Sequence, residues 1–358
     1  MPPVTLKRPA KNALAHVNQL ARQHKAGALE SVAQVIAMSN VSAGQWAEAR
    51  QQLLRHAPIA LHFHPDRAAN GFATVAQGLF EQGQYHSQFV SGCSNGLLAP
   101  TLDGARAQWE NRLFAGAYQE EAVQRPVYGA WHLLPHSDGP SPRFGSCYFL
   151  LAPAVSSRAS FCFGDSHRLT DHRGTTAEPD AVLAALLTEC FERDRVLGQN
   201  RTVPQLVQAL AQPRDRRWLD APPQGCLDHY IEAQVHGGVS LERDVTDLVA
   251  DPSFIGTDVG NTLEALARRY RINLCWHGGY RLKADKVPDN RRGPLMPELA
   301  EWVSDLGQRE GQGAWVDAAH IGLALRHANK NPSAWRHWGE TPPQLLKWLW
   351  HLLVMSAR

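Results

Sequence analysis

The sequence predicts an α+β protein: a central, mostly antiparallel split sheet carrying a cleft, wrapped by helical layers from both ends of the chain. Three observations predict it. The middle of the chain holds aromatic or apolar runs of strand length, Val127–Leu134, Gly145–Leu151 and Ala159–Gly164, separated by Pro- and Gly-rich connections. Residues 1–56 and 286–358 read instead as helices. Two further strand-like stretches, around residues 59–64 and 228–238, lie far apart and each carry titratable groups on one face. The expected division is a helical region over 1–56, the α+β region with the site over 57–285, and a helical region packed on it over 286–358.

Taken in order, Ala- and Gln-rich segments around 12–24 and 28–38 are helical. Ser42 is a plausible N-cap for an amphipathic helix ending near His56. Ile59–Phe63 alternates, with Leu61 and Phe63 on one face and His62 and His64 on the other, and Pro65 ends the strand, delivering Asp66 and Arg67 at its tip. Gly71–Gly83 reads as a short helix closed by glycine. Phe89 and Val90 read as a strand end, followed by the turn Ser91-Gly-Cys-Ser-Asn-Gly96, rich in small donors. Arg143 and Asp165 punctuate the middle strands and are expected to pair as a structural salt bridge. Glu178–Phe191 is helical with acidic residues in its first turn. Leu241–Ala250 and Asn261–Arg271 read as helices, the second feeding the strand Ile272–His277. Thr341 and Pro342 open a C-terminal helix rich in Leu and Trp, which is packing.

Composition excludes several classes. Over 358 residues, hydrophobic content of 44% and charged content of 20% are globular values. Lys plus Arg number 36 against 34 Asp plus Glu, so there is no electrostatic case for nucleic acid. The six cysteines are scattered without a CxxC pair and read as reduced thiols. No apolar run approaches the roughly 20 residues of a bilayer span, so no membrane partner is expected. The N-terminus lacks a signal-peptide core. The expected location is the cytoplasm, or outside it by a dedicated secretion route without a cleavable signal.

The stretch Asp228–Gly238 carries the strongest site signal. Ile231, Ala233 and Val235 form an apolar face, whereas Tyr230, Glu232, Gln234 and His236 form a polar ladder ending at Gly237-Gly238. A polar ladder on an otherwise buried strand needs a reason, because unpaired buried polar groups are costly. A site is one reason; an edge strand with one solvated face is the other.

Three mechanisms can be built from these residues. His62, His64, Asp66 and His236 suggest a metal-dependent hydrolase, although no HExxH-like arrangement supports it. Cys93 in its Gly-flanked turn suggests a Cys–His hydrolase, with nothing marking the thiol as activated. The third mechanism uses Arg67, the serines Ser91 and Ser94, and Glu232, in that order. A non-enzymatic binding module remains the bland alternative.

The segments HFHPDR, QFVSGCSNG, PRFGSCYF, FGDSH, YIEAQVHGG and VADPSF, spread over about residues 57–285, together resemble a bacterial family of unknown-function domains. That set is similar in turn to the CteC-type effector threonine mono-ADP-ribosyltransferases, bacterial toxins whose acceptor is ubiquitin. The resemblance implies an ADP-ribosyltransferase-like split sheet. It also implies transfer of ADP-ribose from NAD, consumed as co-substrate, to an acceptor protein side chain, with a threonine of ubiquitin as the case it names. No metal is implied, and delivery into a host cell is. Matched position by position, Arg67 takes the first-strand arginine role, Ser91 and Ser94 the serine-motif role, and Glu232 the catalytic carboxylate. His62, Asn95 and Tyr230 complete the NAD-binding set, while His64 and Gln234 join Glu232 as catalytic candidates. The sequence departs from the usual pattern twice: the serine motif is Ser-Gly-Cys-Ser, and Glu232 precedes Gln234 instead of lying second in a Glu-x-Glu or Gln-x-Glu pair. The chemistry explains these residue types. Breaking the nicotinamide–ribose bond builds positive charge on the ribose, which a carboxylate stabilises, while a guanidinium forks onto phosphate.

Overall fold

The structure is a computed structural model that describes residues 4–69, 71–92, 101–118, 125–168, 170–212, 219–220, 223, 225–309, 311 and 313–356. It is an α+β fold built on one large, mostly antiparallel sheet with helices packed around it. The strands of that sheet are β1 (Ile59–Phe63), β2 (Val127–Trp131), β3 (Cys147–Leu151), β4 (Ala159–Phe163), β5 (Arg173–Thr175), β6 (Ile231–Val235), β7 (Val245–Ala250) and β8 (Asn273–Trp276). Their spatial order is β8-β7-β3-β1-β2-β6-β4-β5, and only β7 and β8 run parallel. That parallel step needs a crossover, which the helix Asp258–Tyr270 supplies.

The sheet is continuous, yet it forks. β1 and β2 pair only at Ile59↔Trp131 and Ala60↔Ala130, although both strands run on. Beyond that point β1 stays paired with β3 through Phe63, and β2 with β6 through Val127. The eight strands form one continuous sheet, in which β1 and β2 part only locally, and not the expected split sheet. Gly129 sits at the branch: a Cβ there would collide with the carbonyl oxygen of Ala60 and the Leu61 side chain. The strands approach too closely for any larger residue.

Strands β1, β3 and β6 are buried along their whole length. Ile231, Ala233 and Val235 lie in the main core with Leu61, Phe63 and Phe149, as the period-two pattern requires. Since β6 lies between β2 and β4, the edge-strand alternative does not hold.

Most helices form where the sequence places them. Arg8–Met38 is one helix of 31 residues, not two segments, and it buries Ala13, Val17, Ala21, Ala28 and Val32 at helical spacing. It packs on the helix Asp180–Arg193, with Arg22 and Lys25 bonding Glu178 at 2.8 and 2.9 Å. Ser42 closes a reciprocal capping box with Gln45 at the start of Ala43–His56. Gly83 adopts the left-handed conformation that ends Val75–Gln82.

Three expectations are corrected. Phe89 and Val90 lie in a single helical turn, Gln88–Ser91, closed by Gly92, and not at a strand end. Leu241–Asp244 is only one turn, after which Val245–Ala250 becomes strand β7. The β-branched Val245, Thr246 and Val249 suit the pleat, and pairing with both β3 and β8 outweighs the local helical pattern. Arg143 pairs with Asp228, not with Asp165. Asp165 is instead turned onto the backbone N–H of His167 at 2.9 Å.

The C-terminal helices Met296–Arg309, Ala318–Lys330 and Pro342–Ser356 pack on one another, and the last two reach the end of β1, where Gly322 meets Asp66 and Trp350 meets His64. Trp350 anchors them, donating from Nε1 to the Pro142 carbonyl at 2.9 Å. No helix among the described residues is long and apolar enough to cross a membrane.

Candidate functional site

The fork between β1 and β2 opens into a cleft of about 350 Å³. His62, Phe63 and His64 line it from one branch, and Val127, Tyr128 and Gly129 from the other. All six lie beyond the last paired residues, so the parting of the strands creates the space. Its volume falls in the range of small-molecule pockets.

Glu232 and Tyr230 of the β6 segment enter this cleft, together with Arg67 beyond the β1 tip and Ser91 from the Gln88–Ser91 turn. Ser94, Asn95 and Cys93 lie outside the described residues. Six of the sequence-predicted residues, Glu232, His64, Arg67, His62, Ser91 and Tyr230, therefore line one cleft. Gln234 lies behind the cleft and reaches it through Glu232.

Glu232 is buried, and burial followed by the nearby Asp165 charge pushes its carboxyl up to about 7. Two hydrogen bonds to Oε1 oppose that shift: one from Ser166 Oγ, the other from Gln234 Nε2 at 2.8 Å. Ser166 is a residue the sequence reading missed. It is placed by the turn after β4, where Gly164 bridges to Ile231 and Trp109 Nε1 donates to the Ser166 carbonyl at 3.1 Å.

The histidines differ from one another. His62 is fully engaged by backbone: Nδ1 lies 3.0 Å from the Gly145 carbonyl oxygen and Nε2 accepts from the Ser141 N–H at 3.3 Å. A carbonyl can only accept, so the ring is the neutral Nδ1–H tautomer, in keeping with a pKa that burial pushes down to about 3. What His62 offers the cleft is its ring, stacked on Tyr148 at 4.8 Å. His64 is buried as well, and burial first, then Arg67, holds it well below the usual imidazole range. Among the described residues its Nε2 has no hydrogen-bond partner. The buried Tyr230 hydroxyl has none among them either. Two buried polar atoms in residues that line a cleft are what a ligand or ordered water satisfies.

His236 does not enter the cleft. Its ring contacts Tyr118 Oη and, at 3.0 Å, Ser160 Oγ. Among the described residues no three His, Cys, Asp or Glu side chains converge as metal ligands. His62 has both ring nitrogens on backbone groups and His236 faces the interior, so His62, His64 and His236 do not meet as one ligand set among the described residues.

Cations gather around the cleft. Arg67, Arg106, Arg143 and Lys347 all line it. Lys347 is lowered by burial and then by Arg143, Arg67 and Arg292, so these charges crowd one another from separate elements. Arg143 is paired with Asp228, and a further anion at this rim would lower the repulsion that Lys347 feels. Arg106 lies over the Trp109 and Tyr128 rings at 5.1 and 4.9 Å, at the Glu232 end. Beneath it, the buried Glu110 pairs with Arg125 at 2.7 Å and with Arg106 at 3.6 Å. One buried carboxylate therefore faces two guanidinium groups beside the cleft. Arg106, Trp109, Tyr128 and Lys347 went unmarked in the sequence. The i, i+3, i+4 spacing of Arg106, Trp109 and Glu110 on the helix Ala105–Leu113 was the available signal.

Among curated proteins none matches this chain. A family match runs from residue 58 to residue 356, taking in the sheet, the cleft and the C-terminal helices, and leaving out the helices Arg8–Met38 and Ala43–His56. It extends beyond the quoted motifs, and nothing in it concerns CteC-type effectors. With some five-sixths of its length inside that match, the chain belongs to the family described as protein of unknown function (DUF3626).

Proposed function

We propose that this protein is a mono-ADP-ribosyltransferase that moves ADP-ribose from NAD to a protein side chain. The observation that carries the proposal is the meeting of a buried carboxylate, Glu232, with a cation-lined pocket in the fork of the sheet. Cleaving the N-glycosidic bond of NAD develops positive charge on the ribose, and Glu232 is held by Ser166 and Gln234 on the cleft wall to stabilise it. The diphosphate of the same ligand suits the rim lined by Arg67, Arg143 and Lys347, where its negative charge offsets the mutual repulsion of these cations. Tyr230 Oη and His64 Nε2 supply the remaining polar contacts.

The pyridinium charge of bound NAD favours the ionised form of Glu232, against the burial that favours the acid. The acceptor class implied by the sequence resemblance, a threonine of ubiquitin, is part of this proposal. The test is nicotinamide release by purified protein given NAD, with mass analysis of an acceptor such as ubiquitin. Release and transfer that vanish in Glu232→Ala support the proposal. A folded Glu232→Ala protein turning over at the parental rate would sink it.

A further inference from the structure

Behind Glu232, on the side away from the cleft, runs a line of buried polar groups that cleavage itself does not use. Gln234, Ser160, His236 and Tyr118 are each at most 2% exposed. Gln234 and Ser160 are direct partners in the β4–β6 register. Ser160 Oγ donates to Gln234 Oε1 at 2.7 Å and lies 3.0 Å from His236 Nε2, whose Nδ1 meets Tyr118 Oη. Gln234 Nε2 closes the line on Glu232 Oε1 at 2.8 Å.

The donor and acceptor rules leave one arrangement of protons when Glu232 is ionised. A carboxylate only accepts, so Gln234 must turn its Nε2 to Glu232 and its Oε1 to Ser160. The single Ser160 proton then goes to Oε1, and its lone pairs face His236. Hence His236 carries its proton on Nε2, and its bare Nδ1 accepts from the Tyr118 hydroxyl. Every hydrogen bond in the line points toward Glu232.

We propose that Tyr118, His236 and Ser160 are positioning residues that act through Gln234 to hold Glu232 in its working rotamer and protonation state. This rests on the reading of Glu232 as the reactive carboxylate. An apolar interior would be simpler to satisfy here, since a half-satisfied buried network is worse than none. Tyr118 sits in an otherwise apolar cluster with Val17, Trp109, Leu113 and Phe114. The helix Arg8–Met38, outside the matched family segment, supplies Val17 and so closes the far end of the line. The other groups that act on Glu232 come from separate elements: Cys162 opposite it on β4, Ser166 and Asp165 after β4, Arg106 from its helix, Tyr128 from β2, and Tyr230. Gln234 bonds both Glu232 and the interior line, through Ser160.

The test combines nicotinamide release with NMR on Tyr118→Phe and Ser160→Ala. In the parent, ¹⁵N shifts above the Glu232 midpoint should place the His236 proton on Nε2. Tyr118→Phe removes the donor to Nδ1, so a share of His236 should move its proton there. The ¹³C-detected midpoint of Glu232 should rise by about half a unit or more in both variants, because a weakened donor disfavours the carboxylate. Turnover should fall roughly tenfold with KM unchanged, the signature of an interaction made in the transition state. A parental His236 protonated on Nδ1 would overturn the proposal. So would Glu232 midpoints and turnover that are unchanged in both folded variants. Should Tyr118→Phe not fold, Ser160→Ala carries the same comparison. A parent that releases no nicotinamide removes the transferase reading, while the two NMR measurements still decide the positioning line.

Discussion

Asp66 stands against the backbone of the Ala318–Lys330 helix so closely that Gly322 has no room for a Cβ. The strand that delivers Arg67 to the cleft is therefore clamped by a helix more than 250 residues further along the chain. Gly322→Ala is expected to destabilise by several kcal/mol, in the upper range for single substitutions, because carboxylate and helix must separate. Chemical denaturation would show a lower midpoint with an unchanged slope. A Gly322→Ala midpoint equal to the parent's would mean that this contact yields readily.

Glu232 gives a pH prediction for stability. Its carboxyl is raised from an ordinary 4.5 to about 7 in the fold. The folded state therefore holds a proton that the unfolded state has lost between those values, so the fold loses stability as pH rises through that window. The loss is on the order of 3 kcal/mol at full ionisation. Glu232→Gln should narrow the gap in melting temperature between acid and mildly alkaline solution while removing turnover. An identical pH dependence of melting in the parent and Glu232→Gln proteins would contradict the raised carboxyl.

Turnover has the opposite pH sense. If the ionised carboxylate stabilises the ribosyl cation, the rate without saturating NAD should climb as pH rises through about 7. A rate that falls across the same interval would identify the protonated form as the active one, and the role would be that of an acid.

The cation-lined rim predicts a graded loss of NAD affinity. Arg67→Lys keeps the charge and loses the fork, so it should weaken binding less than Arg67→Ala. Lys347→Ala should also weaken binding, and all three effects should shrink in high salt. Calorimetric affinities equal to the parent's in every variant would leave these cations without a phosphate to hold.

For the histidines, chelation is expected to leave activity unchanged, and His64→Ala should lower transfer more than His56→Ala. His56 ends an outer helix, whereas His64 lines the cleft edge-on to Trp350 at 5.1 Å, its Nε2 without a partner among the described residues. Activity lost with a chelated metal and restored by adding it back would reverse this expectation.

What the sequence determined by itself were the local alternations. The period of two in Ile231–Val235 placed Glu232 and Gln234 on one face and the core residues on the other, and Pro65 marked the point where β1 must stop. These features depend on neighbours a few residues apart, which a linear pattern records. Tertiary structure decided the rest. Val245–Ala250 became a strand because β3 and β8 flank it, and Asp165 left Arg143 because Asp228 stood nearer. Arg106 and Lys347 reach the cleft from helices far from β6 in the chain, and the space itself exists because β1 and β2 part after two residue pairs. Such features depend on which distant segments meet, and burial and charge then reset the properties of groups such as Glu232 that the sequence could only name.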